Sequence, residues 1–66
     1  MQANLIRGKI VARFGTVAEF SKAIGYSPVK TSKILNQRQG LSAEDIKVFS
    51  DALGIKEPSE VVALFL

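Results

Sequence analysis

The sequence predicts an all-α domain, a compact bundle of about five short helices, and three observations predict it. Apolar residues recur at three- and four-residue intervals in successive segments, with no sustained alternation of the kind a strand shows. Gly15, Gly25 and Gly54 follow three of those segments, where a helix commonly stops. Ser, Thr or Pro opens the segments that come after, at Thr16, Ser27-Pro28, Ser42 and Pro58.

Leu5, Ile6, Ile10, Val11 and Phe14 lie close to helical spacing, so residues 3–13 read as a first amphipathic helix ended by Gly15. Arg7, Lys9 and Arg13 fall toward its polar side. Gly8 sits in its middle at a cost of about 1 kcal/mol relative to alanine, which close packing against another helix would explain. Thr16-Val17-Ala18-Glu19 has the capping-box pattern: the threonine oxygen accepts from the third amide and the glutamate reaches back. A second helix then runs from about Val17 to Ile24, with Phe20, Ala23 and Ile24 as its apolar stripe and Gly25 at its end.

GYSPVKTSKILN, residues 25–36, places a proline within an otherwise helical repeat. Ser27 is a preferred N-cap, and at the first helical position proline forfeits only an N–H that would have had no partner. Pro28 therefore begins a third helix, about 28–36, with Thr31, Ile34 and Leu35 as its core stripe and Asn36 near its end. Ser42 with Asp45 three residues on marks a fourth helix that buries Ile46, Phe49, Ala52 and Leu53. Gly54 ends it and Ile55 packs beneath. Pro58 to about Phe65 reads as a short fifth helix or turn.

Sixty-six residues make one domain, 1–66, with a single small core and no second lobe to close a cleft. The chain has no cysteine, so disulfide and thiolate staples are out. It has no histidine, which removes the commonest general base and the commonest metal ligand. The expectation is a protein that is not an enzyme and uses no metal or other cofactor. The longest apolar run, VVALFL, is far short of the roughly 20 residues a membrane span needs, and no leader pattern opens the chain. A soluble, cytoplasmic location is expected, with no membrane partner.

Charge is uneven along the chain. Residues 1–40 hold seven basic residues against Glu19, net +6, and residues 41–66 hold two basic against five acidic, net −3. A basic face with an anionic polymer as its partner is one implication. Ordinary solvated helix faces with unequal charge are the other.

The most informative unit is residues 16–36, two short helices joined by a turn of three or four residues that starts at Gly25. That spacing is shared by DNA-binding helix-turn-helix units and by generic helical hairpins. At 100° per residue, Thr31, Ile34 and Leu35 point one way and Val29, Ser32, Lys33 and Asn36 the other, with Lys30 on the flank. The outward set offers each kind of major-groove contact: Lys33 for guanine O6 or N7, Val29 for a thymine methyl, Ser32 for either base edge. A merely solvated face would carry similar lysines.

The chain resembles the lambda-repressor and Cro-like helix-turn-helix domains of bacteriophage and bacterial regulators, the XRE family. The likeness rests on FGT before the second helix, EFSKAIG within it, GYSP followed by SKILN in the third, and LSAEDIKVFSDALGI in the fourth, about residues 5–55 in all. Ser21 stands where the family usually has a buried alanine and Thr31 where it has valine or isoleucine, and either hydroxyl can bond the carbonyl one turn back. The resemblance implies that the third helix lies in the major groove with the second across its N-terminal end. The base-reading set is then Pro28, Val29, Lys30, Ser32 and Lys33. Phosphate contacts are expected from Thr16 and Ser27 at helix N-termini, from Lys22, and from Asn36, Gln37, Arg38 and Gln39 after the recognition helix. Arg7, Lys9 and Arg13 add to the general field, and Tyr26 packs in the turn with its hydroxyl in water.

VVALFL holds more apolar surface than one short helix buries beneath itself. Part of it closes the core, and the rest is expected to form a dimer interface, assigned to Val61, Val62, Leu64, Phe65 and Leu66. A small module buries only roughly 600–1,000 Å² on DNA, and dimers reading half-sites about 34 Å apart gain the missing specificity. The expected function is a sequence-specific transcriptional regulator, a repressor acting by operator occlusion. It would form a weak homodimer on a pseudo-palindromic double-stranded operator, without a small-molecule effector. The alternative is a protein-interaction module, an antitoxin or antirepressor, that uses residues 61–66. RNA binding ranks third, because single-stranded RNA is usually read by aromatics on a sheet platform.

Overall fold

A computed structural model describes residues 1–66 as five helices without a strand: α1 (Ala3–Phe14), α2 (Val17–Ile24), α3 (Pro28–Leu35), α4 (Ala43–Leu53) and α5 (Pro58–Phe65). The all-α bundle is as the apolar spacing predicts. No helix is long and apolar enough to cross a membrane.

The ends of the helices follow local chemistry. Thr16 Oγ1 accepts from the Glu19 amide at 3.1 Å, but the Glu19 carboxylate makes no return bond, so only half the box forms there. The complete box is at α4, where Ser42 Oγ accepts from the Asp45 amide at 3.0 Å and Asp45 Oδ2 accepts from the Ser42 amide at 3.1 Å. Pro28 does open α3, and Ser27 Oγ accepts from the Lys30 amide at 3.1 Å. Gly25 closes α2 in the left-handed region at φ 77°, and the Tyr26 amide reaches back to the Ser21 carbonyl at 2.9 Å.

The core is aromatic at its centre. Phe20 and Phe49 are fully buried with ring centroids 5.0 Å apart, nearly perpendicular, and Phe14, Tyr26 and Phe65 surround them. Edge-to-face contacts of this kind add to the area they bury. Ile6, Ile10, Ile34, Leu35, Leu53, Ile55 and Leu64 fill the rest.

Several stripes are narrower than the spacing suggests. Leu5 and Val11 are exposed, and Ile6 and Ile10 carry the burial of α1. Each outer residue is 100° around the helix from a buried one, and a single-layer bundle has nothing to lay over it. In α2, Ala23 is exposed and Ser21 is fully buried in its place, its hydroxyl donating to the Val17 carbonyl at 2.9 Å. Thr31 donates likewise to Ser27 at 3.3 Å, so both hydroxyls are satisfied one turn back. Ile46 and Ala52 are half-buried, while Ser50 is buried with no partner for its hydroxyl. Gly8 is exposed and a methyl there would meet nothing within 4 Å, so no helix packs closely against it. Gly8→Ala should raise stability by about 1 kcal/mol in a urea titration.

The C-terminal segment divides. Leu64 and Phe65 are core residues, against the expectation that they form a dimer surface, and Val61 is half-buried. Val62 and Leu66 are 55% and 78% exposed. An eight-residue helix lying on a small core must turn one side inward, and the Phe65 ring is 6.3 Å from Phe49.

Candidate nucleic-acid interface

Capping and packing together fix which side of α3 faces outward. With Thr31, Ile34 and Leu35 buried, Val29, Ser32, Lys33 and Asn36 are left on the surface, Val29 at 63% exposure. An open concavity of about 350 Å³ runs along this face, lined by Pro28, Val29, Ser32, Lys33, Asn36 and Arg38. Four residues assigned to base reading and two assigned to phosphate are thus brought to one surface.

Arg38 reaches it because of how α3 ends. Asn36 is the C-cap and Gln37 is left-handed at φ 58°, the only residue besides glycine with positive φ. The Arg38 amide then donates to the Lys33 carbonyl at 2.8 Å and the Gln37 amide to Ile34 at 3.0 Å, turning the chain sharply after the helix. Sequence reading puts the helix end one residue later and has no signal for this turn, because glycine is absent. Gln37 and Gln39 open instead to a second concavity of about 390 Å³, which Arg38 also borders, above Leu41, Ile46 and Phe65.

A chain of hydrogen bonds ties the outward face to α1. Asn36 Nδ2 donates to Ser32 Oγ at 3.2 Å, and Asn36 Oδ1 accepts from Arg7 Nη2 at 2.8 Å. Ser32 keeps its own O–H free to donate. Arg7, assigned by sequence only to the general field, therefore stands at the end of α3 through a tertiary contact that no local pattern announces.

The cations sort into two groups. Lys9 pairs with Glu60 at 3.7 Å and Lys47 with Asp51 at 3.4 Å. Arg13 donates to the Leu53 carbonyl at 3.0 Å, closing the end of α4, so it too is structural. The side chains of Lys22, Lys33, Arg38 and Lys56 make no hydrogen bond or ion pair within the protein, which leaves their charge available to an anion.

Lys30 is engaged within the protein rather than free on the outward face: its Nζ lies 3.7 Å from Asp45 Oδ1 and 4.1 Å from the centre of the Tyr26 ring, with its side chain 42% exposed. Tyr26 also departs from expectation, since its hydroxyl donates to Asp45 Oδ1 at 2.5 Å rather than to water. Burial first, then the hydrogen bond and the negative charge of Asp45, push the Tyr26 phenol up to about 12. Burial acts to raise Asp45, but the hydrogen bonds from Tyr26 and Ser42 and the charge of Lys30 outweigh it, and its carboxyl lies below the ordinary range.

The helix N-termini keep few free donors. Ser27 occupies the Lys30 amide and Pro28 has none, leaving Val29, and in α2 the amides of Val17 and Ala18 remain. Thr16 and Ser27 are both exposed beside them.

Compared with known proteins, the chain matches no family model, no curated protein and no solved structure.

Proposed function

We propose that the chain is a sequence-specific double-stranded-DNA-binding regulator of the lambda-repressor and Cro-like kind, a repressor that occludes its operator. The observation that supports this most is the outward face of α3, where a hydroxyl, an aliphatic side chain and two unpaired cations border one open concavity. Lys33 and Ser32 would contact base edges and Val29 a thymine methyl. Arg38 and Lys22 would contact phosphates, with the free amides at the starts of α2 and α3. A cytoplasmic location, a pseudo-palindromic operator and a weak homodimer through Val62 and Leu66 belong to the same proposal. Leu64 and Phe65 do not, being core residues.

Fluorescence anisotropy with random duplexes and duplexes selected from a random pool, across a salt series, tests it. Random duplexes should bind with Kd on the order of 10⁻⁴–10⁻⁶ M near physiological salt, and selected ones at least about 10³-fold tighter. Absent or salt-independent binding would overturn it.

The exposure of Val62 and Leu66 favours a second reading, an interaction module of the antitoxin or antirepressor type. Val62→Asp with Leu66→Asp would then abolish partner binding, and Lys33→Ala with Arg38→Ala would not. Under the DNA-binding proposal the lysine and arginine changes are the severe pair, and the α5 pair spares binding to a single half-site.

A further inference from the structure

Asp45 is the most deeply buried charged residue, at 6% exposure, and it joins three parts of the fold. Its Oδ2 accepts from the Ser42 amide at the start of α4. Its Oδ1 receives the Tyr26 hydroxyl from the turn and faces Lys30 of α3 at 3.7 Å. Tyr26 in turn packs on Phe49, ring centroids 5.9 Å apart, with Lys30 Nζ over its ring at 4.1 Å. Residues 26 and 30 bracket the Ser27-Pro28 start, so both ends of the first turn of α3 are fastened to one carboxylate of α4.

We propose that Asp45 is a positioning residue for DNA reading: it anchors the start of α3 through Tyr26 and Lys30 and withholds Lys30 from DNA. The proposal rests on the DNA-binding reading of α3. Two lysines three residues apart lie 60° apart around a helix, near enough for both to reach one duplex. Lys30, held by a shielded carboxylate, adds nothing to phosphate contact, and Lys33 remains the only cation within α3 that reads. A flexible second lysine would bind any sequence, so its removal from the surface favours discrimination over raw affinity.

The salt dependence of binding separates this role from a merely structural one. Each phosphate contact contributes about 0.9 to the slope of log Kobs against log salt. Arg38→Gln should lower the slope magnitude by about 0.9, while Lys30→Gln should leave it unchanged. Asp45→Asn should raise it by about 0.9 as Lys30 swings out, and should narrow the gap between selected and random duplexes. A slope reduced by Lys30→Gln as much as by Arg38→Gln would overturn the inference.

A titration without DNA keeps the two readings distinct. Tyr26 is the only tyrosine, so phenolate absorbance reports it alone. Its pKa should be about 12 in the native chain and fall in Asp45→Asn, with Lys30→Gln shifting it less than Asp45→Asn does. A native phenol titrating near 10 would overturn the anchor. Failure of every protein, native included, to bind DNA would instead overturn the DNA-binding proposal. If Asp45→Asn does not fold, Lys30→Gln and the native titration still decide.

Discussion

α3 and α5 are built alike and end differently. Each has eight residues and starts with proline, and each buries one side against the aromatic core. Ser27 caps α3 with a side-chain bond, and the left-handed Gln37 closes it. Glu57 caps α5 without one. The outward side of α3 carries Val29, Ser32 and Lys33, with Asn36 just beyond its end, whereas that of α5 carries Val62 and Ala63 beside Ser59 and Glu60, with Leu66 just beyond its end. A polar outward face declares itself in the sequence, because a charged or amide side chain rarely goes inside unpaired. An apolar segment does not declare which half goes inside, since each of its residues is content in either place.

The largest effect that could break this comparison is in α5. Phe65→Ala should cost about 3–5 kcal/mol, enough to unfold most of a domain this small at 25 °C, since such domains rarely hold more than about 3–5 kcal/mol. Val62→Ser, one turn away, should change monomer stability by no more than about 0.5 kcal/mol. Urea denaturation followed by circular dichroism measures both, and equal losses would mean that α5 has no inward and outward sides.

The caps sharpen the contrast at a smaller scale. Ser27→Ala should cost α3 about 1 kcal/mol, and Glu57→Ser should stabilise α5 by roughly as much by supplying the bond it lacks. Thermal melts of the two variants should move in opposite directions. Gln37→Gly should add about 0.5–1 kcal/mol by relieving a left-handed backbone. Stability unchanged by that substitution would show that Gln37 is not held at positive φ.

A pH dependence follows from the anchor that α3 has and α5 lacks. Asp45 titrates lower folded than unfolded, so the stability it brings is complete above its ordinary value of 3.8 and is lost as pH falls through the lower folded pKa. Tyr26 titrates higher folded than unfolded, so its contribution is complete below pH 10 and is lost as pH rises from 10 to about 12. In chemical melts across pH, Asp45→Asn should remove the acid limb and Tyr26→Phe the alkaline one. Limbs that persist in these variants would assign them to other groups.

What could be read in advance follows from the range of each interaction. Pro28 as a helix start, Ser27 and Thr16 as caps, and Gly25 and Gly54 as stops are decided within four residues, and the chain states them directly. The outward set Val29, Ser32 and Lys33 follows from helical geometry once Ile34 and Leu35 are inside. The fates of Lys30 and Tyr26 depend on Asp45, which is 15 or more residues away and looks from sequence like half of an ordinary capping box. Arg7 beside Asn36 spans 29 residues and is equally silent. Leu5 and Val11 have core spacing yet lie exposed, because spacing cannot count how many neighbours a small bundle has to offer. The turn at Gln37 leaves no sign in the sequence, because the usual marker, glycine, is not there.

The most direct test of the central claim is a titration of the isotopically labelled protein with a selected duplex, following backbone amide shifts by NMR. If α3 reads DNA, the largest shifts fall on Val29 to Arg38, with smaller ones at Val17 and Ala18. Shifts concentrated on Val62 to Leu66, with α3 silent, would contradict it.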